Sequence, residues 1–139
     1  MVGQIQKYLA SDNSRTELAD ARAVLATALG DLQAMAAAMT GFLLSSQENA
    51  RELYRLGLES VRFLLAVGDL LIGWLLLHQG EIALGALDRE VSDRDRAFYT
   101  GKVTVASFFA KNVLPRLSAE RKIIEAVDLT AMELREEAF

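Results

Sequence analysis

The amino-acid sequence predicts an all-α protein, an up-and-down bundle of three to four long antiparallel helices with short terminal helices. Alanine and leucine, both good helix formers, dominate a chain of 139 residues with a single proline. Apolar residues recur with the helical period in three long stretches, and short polar breaks separate those stretches. The length is typical of one domain, and we expect residues 1–139 to form it.

A short helical lead is expected within residues 1–13, before the first long helix. Ser14 and Glu17 have capping-box spacing and predict that this helix begins there and ends near Leu44. Small residues recur along it and predict a groove into which a neighbouring backbone packs, with a ligand slot as the alternative: Ala19, Ala23, Ala26, Gly30, Ala34, Ala37 and Gly41.

Ser45 and Glu48 repeat the capping-box spacing and predict a second helix that reaches Leu87, with a bend or break near Gly57. Ala66, Gly73 and Gly80 recur every seven residues along it. Glycine weakens a helix, so tertiary packing must offset that cost, and the spacing predicts close contact with a neighbouring helix.

The most apolar stretch, residues 63–77, raises the question of a membrane span. It is shorter than the roughly 20 apolar residues that a spanning helix needs, and Asp69 interrupts it. We therefore expect the central helix of a soluble bundle and no membrane span. A membrane-associated helical protein is the rival interpretation.

The third helix has the clearest start, because Ser92 is a suitable N-cap and Asp93 and Asp95 favour a positive first turn. It is expected to reach Val127, with a kink or a split just before Pro115. A helical wheel places one broad apolar sector toward the core: Phe98, Tyr99, Val103, Val105, Ala106, Phe109, Val113, Leu117, Ile123, Ile124 and Val127. A last short helix is expected in the acidic tail.

Asp69 is the carboxylate of greatest interest, because an unpaired charge among leucines is costly to bury. We predict a buried, structural ion pair with Arg62, Arg116 or Lys102 as the partner. Lys102, Arg116 and Glu120 project into the apolar sector of the third helix. Either their stems lie along the core rim while their charged groups reach water, or they form a buried pair or contact a partner domain or a ligand phosphate. The alternative for Asp69 is contact with water or with another domain.

Composition and motifs exclude several functions. The net charge of −4 argues against a nucleic-acid partner. There is no cysteine, and the only histidine, His78, has no Glu-x-x-His pair around it for a di-metal site. The glycines lack the spacing of phosphate-binding loops. The N-terminus does not have the pattern of a signal peptide. We expect no catalytic, cofactor-binding or metal-binding residue in this chain, and its composition is compatible with the cytoplasm.

Several segments together resemble the C-terminal helical extension of a subgroup of acyl-CoA dehydrogenases. They are DLQAMAAAMTGFLLSS (31–46), SVRFLLAVGDLLIGWLLLHQGEIAL (60–84) and DRAFYTGKVTVASFFAKNVLPRLSAER (95–121). The closing LTAMELREEAF (129–139) also resembles the C-terminus of proteins in that family. The resemblance depends on the amino-acid sequence of these segments, above all AFYTGKV with FFAKNVLPRL, and not on a catalytic motif.

The resemblance implies a parent enzyme that uses FAD to form a trans-2,3 double bond in an acyl-CoA thioester. In the family a glutamate base removes the α proton and flavin N5 accepts the β hydride. That glutamate and most of the flavin and CoA sites precede the extension. The resemblance therefore implies a structural and assembly role on the dehydrogenase core, in a homo-oligomer, without turnover by this chain. A stand-alone helical interaction module is the alternative.

Overall fold

A computed structural model of the protein describes residues 1–11 and 15–138. Five α-helices follow one another in this part of the chain: α1 (Val2–Leu9), α2 (Ala19–Ser45), α3 (Glu52–Leu87), α4 (Asp93–Asn112) and α5 (Arg116–Glu125). A 3₁₀ turn, Thr16–Leu18, leads into α2, and two more, Thr130–Glu133 and Glu136–Ala138, lie in the tail. The described residues contain no strand, and the all-α prediction is confirmed.

Helix α3 is the centre of the bundle and packs mainly against α4 and α2, while α5 packs mainly against α2. The close packing predicted for the Ala66, Gly73 and Gly80 repeat is confirmed at its two glycines. A Cβ at Gly73 would lie 2.9 Å from Leu114 Cδ2, and one at Gly80 would lie 3.3 Å from Ala106 Cβ on α4. A methyl group at either position would force its neighbours to move, and glycine avoids this crowding.

The single proline splits the third predicted helix, as expected. Helix α4 ends at Asn112 and α5 begins at Arg116, directly after Pro115. Proline has no N–H to donate to the preceding turn, so the backbone leaves α-helical pairing there. Ser92 is confirmed as the N-cap of α4, because its Oγ accepts from the Asp95 backbone N–H at 3.2 Å.

Two predicted helix boundaries need correction. Helix α3 begins at Glu52, and the predicted capping box at Ser45 is wrong, because Ser45 is the last residue of α2. The predicted break near Gly57 is also wrong, since α3 continues through that residue. The other predicted capping box includes Ser14, which lies outside the described residues.

The helical wheel predicted that α4 and α5 are amphipathic, but it assigned some exposed residues to the buried side of these helices. Ala106, Leu117 and Ile124 are buried as expected. Phe98, Val105 and Ile123 are exposed instead. The small residues of α2 also point outward for the most part, and a Cβ at Gly30 or Gly41 would meet nothing within 4 Å. The groove predicted on α2 is therefore not occupied within this bundle.

Two helical stretches, Thr16–Ser45 and Glu52–Leu87, are long and apolar enough to cross a membrane by length and composition alone. The central helix of a soluble bundle has the same composition.

Candidate functional site: the cleft between helices α3 and α5

An open cleft of about 490 Å³ lies between α3 and α5. It combines apolar side chains with four charged ones, and its lining is Leu58, Val61, Arg62, Leu65, Ala66, Asp69, Arg116, Leu117 and Glu120. Three of the four predicted ion-pair residues therefore meet in one place. Helix α5 begins at Arg116, directly after Pro115, and this residue lines the cleft.

Arg62 is the most engaged charge in the cleft. Its Nε donates to Glu59 at 2.7 Å, and its guanidinium also donates to Glu120 of α5. Hydrogen bonding to Glu120, the leading cause, raises the pKa of Arg62 above its usual value. Glu59 itself is buried. Arg62 therefore links α3 to α5 through Glu120 and is held within α3 by Glu59; neither glutamate was predicted as its partner.

Asp69 does not form the predicted ion pair. It is only partly buried, and among residues 1–11 and 15–138 no basic group lies within 4.0 Å of its carboxylate. Arg62 lies two turns away on the same helix and binds glutamates instead. Arg116 lines the same cleft but is exposed, and it too is in no ion pair within the described ranges. Sequence spacing does not show that Glu59 and Glu120 lie closer to Arg62 than Asp69 does.

Lys102 lies away from the cleft. Its Nζ donates to Gln79 Oε1 at 3.3 Å and sits 5.4 Å from the centroid of the Phe98 ring. Lys102 itself is partly buried.

Two polar networks were missed by the sequence reasoning, although they hold the bundle together. Arg22 of α2 is buried and donates to Glu81 Oε1 of α3 at 2.5 Å and to the Tyr8 carbonyl at 2.7 Å. Tyr8 Oη donates to the same Glu81 oxygen at 2.8 Å. Burial, followed by this bond to Glu81, raises the pKa of Tyr8. His78 is exposed, and its ring is nearly perpendicular to that of Tyr8, with centroids 6.1 Å apart.

The second network fixes α5 to α2. Asp31 of α2 is buried, and it accepts from Ser118 Oγ at 2.5 Å and from Arg121 at 3.3 Å. A charged residue in the apolar pattern of a long helix was the only sequence signal for either network. The partners are dozens of residues away, so spacing could not identify them.

Exposed apolar side chains form two rows on the bundle surface. The α4 row consists of Phe98, Val105 and Phe108, which are 59%, 51% and 63% exposed. The α3 row extends along most of α3 and contains Leu53, Tyr54, Leu58, Val61, Leu64, Leu65, Ile72, Leu75 and Ile82. Contiguous apolar surface of this kind marks a contact site.

The described residues do not provide a grouped set of metal ligands. Within the part of the chain that the structure describes, no three His, Asp or Glu side chains are grouped so that they could hold a metal ion. Among the charged residues that line the cleft, Arg62 and Glu120 form an ion pair between α3 and α5. The fold and its surfaces define a helical accessory domain with long apolar contact faces.

Comparison with known proteins identifies the family. Residues 1–135 match the family described as "Acetyl-CoA dehydrogenase C-terminal like". The chain belongs to this family, as the sequence similarity of its helical segments predicted.

The similar curated proteins are acyl-CoA dehydrogenases. Over 137 residues, 99% of this chain, it is 53% identical to the broad-specificity linear acyl-CoA dehydrogenase FadE5 of Mycobacterium tuberculosis, of which it covers 22%. Two proteins named butyryl-CoA dehydrogenase from Syntrophomonas wolfei are 33% and 34% identical to it, each over 58% of this chain and 13% of its own length. The chain thus spans about a fifth or less of the length of these relatives, and it corresponds to their C-terminal domain.

Proposed function

We propose that this chain is the C-terminal helical domain of a flavin-dependent acyl-CoA dehydrogenase, where it stabilises and helps to assemble the enzyme without supplying a catalytic base. Family membership supports this proposal, together with a 53% identical relative that is named as an acyl-CoA dehydrogenase. In this proposal FAD and the acyl-CoA substrate bind to the preceding domains, and the enzyme works in the cytoplasm.

The single observation that carries the assembly role is the α4 row. Along α4, Val105 lies about two turns from Phe98 and Phe108 about three turns from it, on the same side of the helix. All three side chains are more than half exposed. Exposed phenylalanines in a row are costly in water and are typical of a surface that another protein surface covers. We assign the α4 row to contact with the dehydrogenase core.

A truncated relative provides the test. The M. tuberculosis enzyme, cut before its matching C-terminal region, supplies a dehydrogenase core that lacks this domain. We expect the 139-residue chain to co-elute with that core and to raise its melting temperature. Phe108→Lys should weaken this binding at least tenfold, because a charge would then be buried in the interface. Leu65→Lys, on the α3 row, is the matched control and should bind normally.

The chain alone should be colourless and should not support acyl-CoA-dependent dye reduction. A flavin spectrum with turnover from the isolated chain would refute the non-catalytic role. Failure to bind the core at micromolar concentrations would favour a stand-alone interaction module instead.

A further inference from the structure

One side of α3 has the spacing of a coiled-coil seam. Nine positions follow one another at alternating intervals of four and three residues: Tyr54, Leu58, Val61, Leu65, Gly68, Ile72, Leu75, Gln79 and Ile82. All of them except Gly68 are exposed, and only Gln79 is polar among the side chains. We call these nine positions the α3 seam. A 4–3 repeat of apolar residues over about four heptads is the pattern by which two helices pack knobs into holes.

The seam is distinct from the side of α3 that packs within the bundle. Ala66, Leu70, Gly73 and Leu77 are buried against neighbouring helices of this chain. The seam follows a different side of α3 for about 42 Å, at 1.5 Å per residue. Toward its ends it borders the neighbouring helices, because Leu58, Val61 and Leu65 line the cleft beside α5 and Gln79 accepts from Lys102 of α4. The bundle thus uses one stripe of α3 and leaves a second, regular stripe for another helix.

We propose that the α3 seam pairs with the α3 seam of a second copy of this chain, antiparallel about a two-fold axis. With the axis between Ala66 and Val67, Leu58 of one copy meets Leu75 of the other. Val61 likewise meets Ile72, and Leu65 packs over Gly68. Each of these contacts occurs twice, as a two-fold interface requires.

The charges beside the seam select this register. Arg62 and Asp69 lie on the same flank, each directly after a seam residue. In the proposed register Arg62 of one copy lies within about half a helical turn of Asp69 of the other, on both sides of the axis. A shift by one heptad, which pairs Leu65 with Leu75, would place Asp69 against Asp69, and like charges there are unfavourable.

The flanking charges also explain why a second copy is the occupant. The face carries both members of a complementary pair, so it is complementary to itself. Asp69 has no ion-pair partner in the described part of its own chain, whereas a guanidinium has five N–H donors and Arg62 can serve a further carboxylate besides Glu59 and Glu120.

The available area is adequate for a stable dimer. A standard interface buries about 800 Å² on each partner. The nine large side chains of the α3 row are each 46% to 68% exposed and can supply most of that area. The α4 row stays free for the dehydrogenase core, so the dimer does not depend on the proposed function.

Cross-linking tests the register directly, because the chain has no cysteine of its own. Val61→Cys and Ile72→Cys chains, carrying tags of different size, are mixed and treated with a short bis-maleimide. We expect the mixed pair to cross-link efficiently and each variant alone to cross-link poorly. Leu65→Cys mixed with Leu75→Cys is the matched control and reports the shifted register. Efficient cross-linking of that pair, or of single variants as in a parallel dimer, would overturn the proposed register.

Sedimentation equilibrium measures the association itself. The unaltered chain should be a dimer at micromolar concentrations. Leu65→Lys should give a helical monomer by circular dichroism, while Phe108→Lys should stay dimeric. Asp69→Lys should weaken the dimer about tenfold at low salt and less at high salt, because salt screens exposed charges. Glu133→Lys, in the exposed tail, should have no effect.

A monomeric unaltered chain at 100 µM or more would overturn the proposal. So would loss of core binding in Leu65→Lys but not in Phe108→Lys, because the core would then cover the seam. That second outcome would leave the role in the dehydrogenase intact, so the two proposals can fail separately.

Discussion

Gly73→Ala is expected to destabilise the bundle, although alanine is the better helix former. The new Cβ would lie 2.9 Å from Leu114 Cδ2, 3.0 Å from Cδ1 and 3.2 Å from Cγ. Leu114 is only 1% exposed, so its side chain lies in the packed interior and does not border solvent. The substitution therefore adds a methyl group to a packed site.

Two opposing effects set the magnitude. Replacing glycine by alanine inside a helix stabilises it by about 1 kcal/mol, whereas overpacking a core typically costs about 1–3 kcal/mol. Gly57→Ala is the matched control on the same helix, because a Cβ there meets nothing within 4 Å and only the helix-forming gain applies. The two variants should differ by about 1–3 kcal/mol in the free energy of unfolding.

Thermal and urea unfolding followed by circular dichroism measure this difference. It corresponds to a separation of roughly 3–6 °C in melting temperature per kcal/mol. Leu114→Ala provides the second arm of a double-mutant cycle, because it removes the atoms that the new methyl group would meet. In that background Gly73→Ala should be neutral or stabilising. If Gly73→Ala melts as high as Gly57→Ala, close packing at Gly73 is not what limits the site.

Two further expectations concern the polar networks. Asp31→Ala should destabilise the fold by about 2 kcal/mol, because it strands the partners of a buried, charge-assisted pair of bonds; Glu133→Ala in the exposed tail is the control, and equal melting of the two variants would contradict this. The raised pKa of Tyr8 means that the folded state favours the neutral phenol, so its contribution is complete below the unfolded pKa of about 10 and is lost as pH rises above it. Stability should therefore fall above pH 10 in the unaltered chain and less steeply in Tyr8→Phe, and parallel pH profiles would contradict the assignment.

The sequence predicted those features that depend on local chemistry. The all-α class, the N-cap at Ser92 and the split at Pro115 each follow from what a few neighbouring residues can do, and all three are observed. The close approaches at Gly73 and Gly80 were also predicted, because a glycine repeat in a helix needs a packing reason.

Features that depend on distant partners were not predictable in the same way. Helix α3 is apolar on nearly all sides, so its sequence does not show which stripe faces the bundle and which faces outward. The same ambiguity placed Phe98 and Val105 in the core, whereas both are exposed. The predicted partners of Asp69 were chosen only by their positions on the helical wheels, whereas the structure pairs Arg62 with Glu59 and Glu120. The choice among several nearby acids depends on tertiary geometry.

The Arg22 network has a consequence for the order of folding. Helix α1 has eight residues, which is too short for a helix to persist alone in water. Its C-terminal carbonyls are held by the guanidinium of Arg22, which donates to Tyr8, Leu9 and Ser11 while it also binds Glu81 of α3. That guanidinium is fixed only once α2 and α3 have met. Helix α1 is therefore expected to form after α2 and α3 have packed together. When α2 and α3 separate, α1 loses the hydrogen bonds that support its C-terminal end.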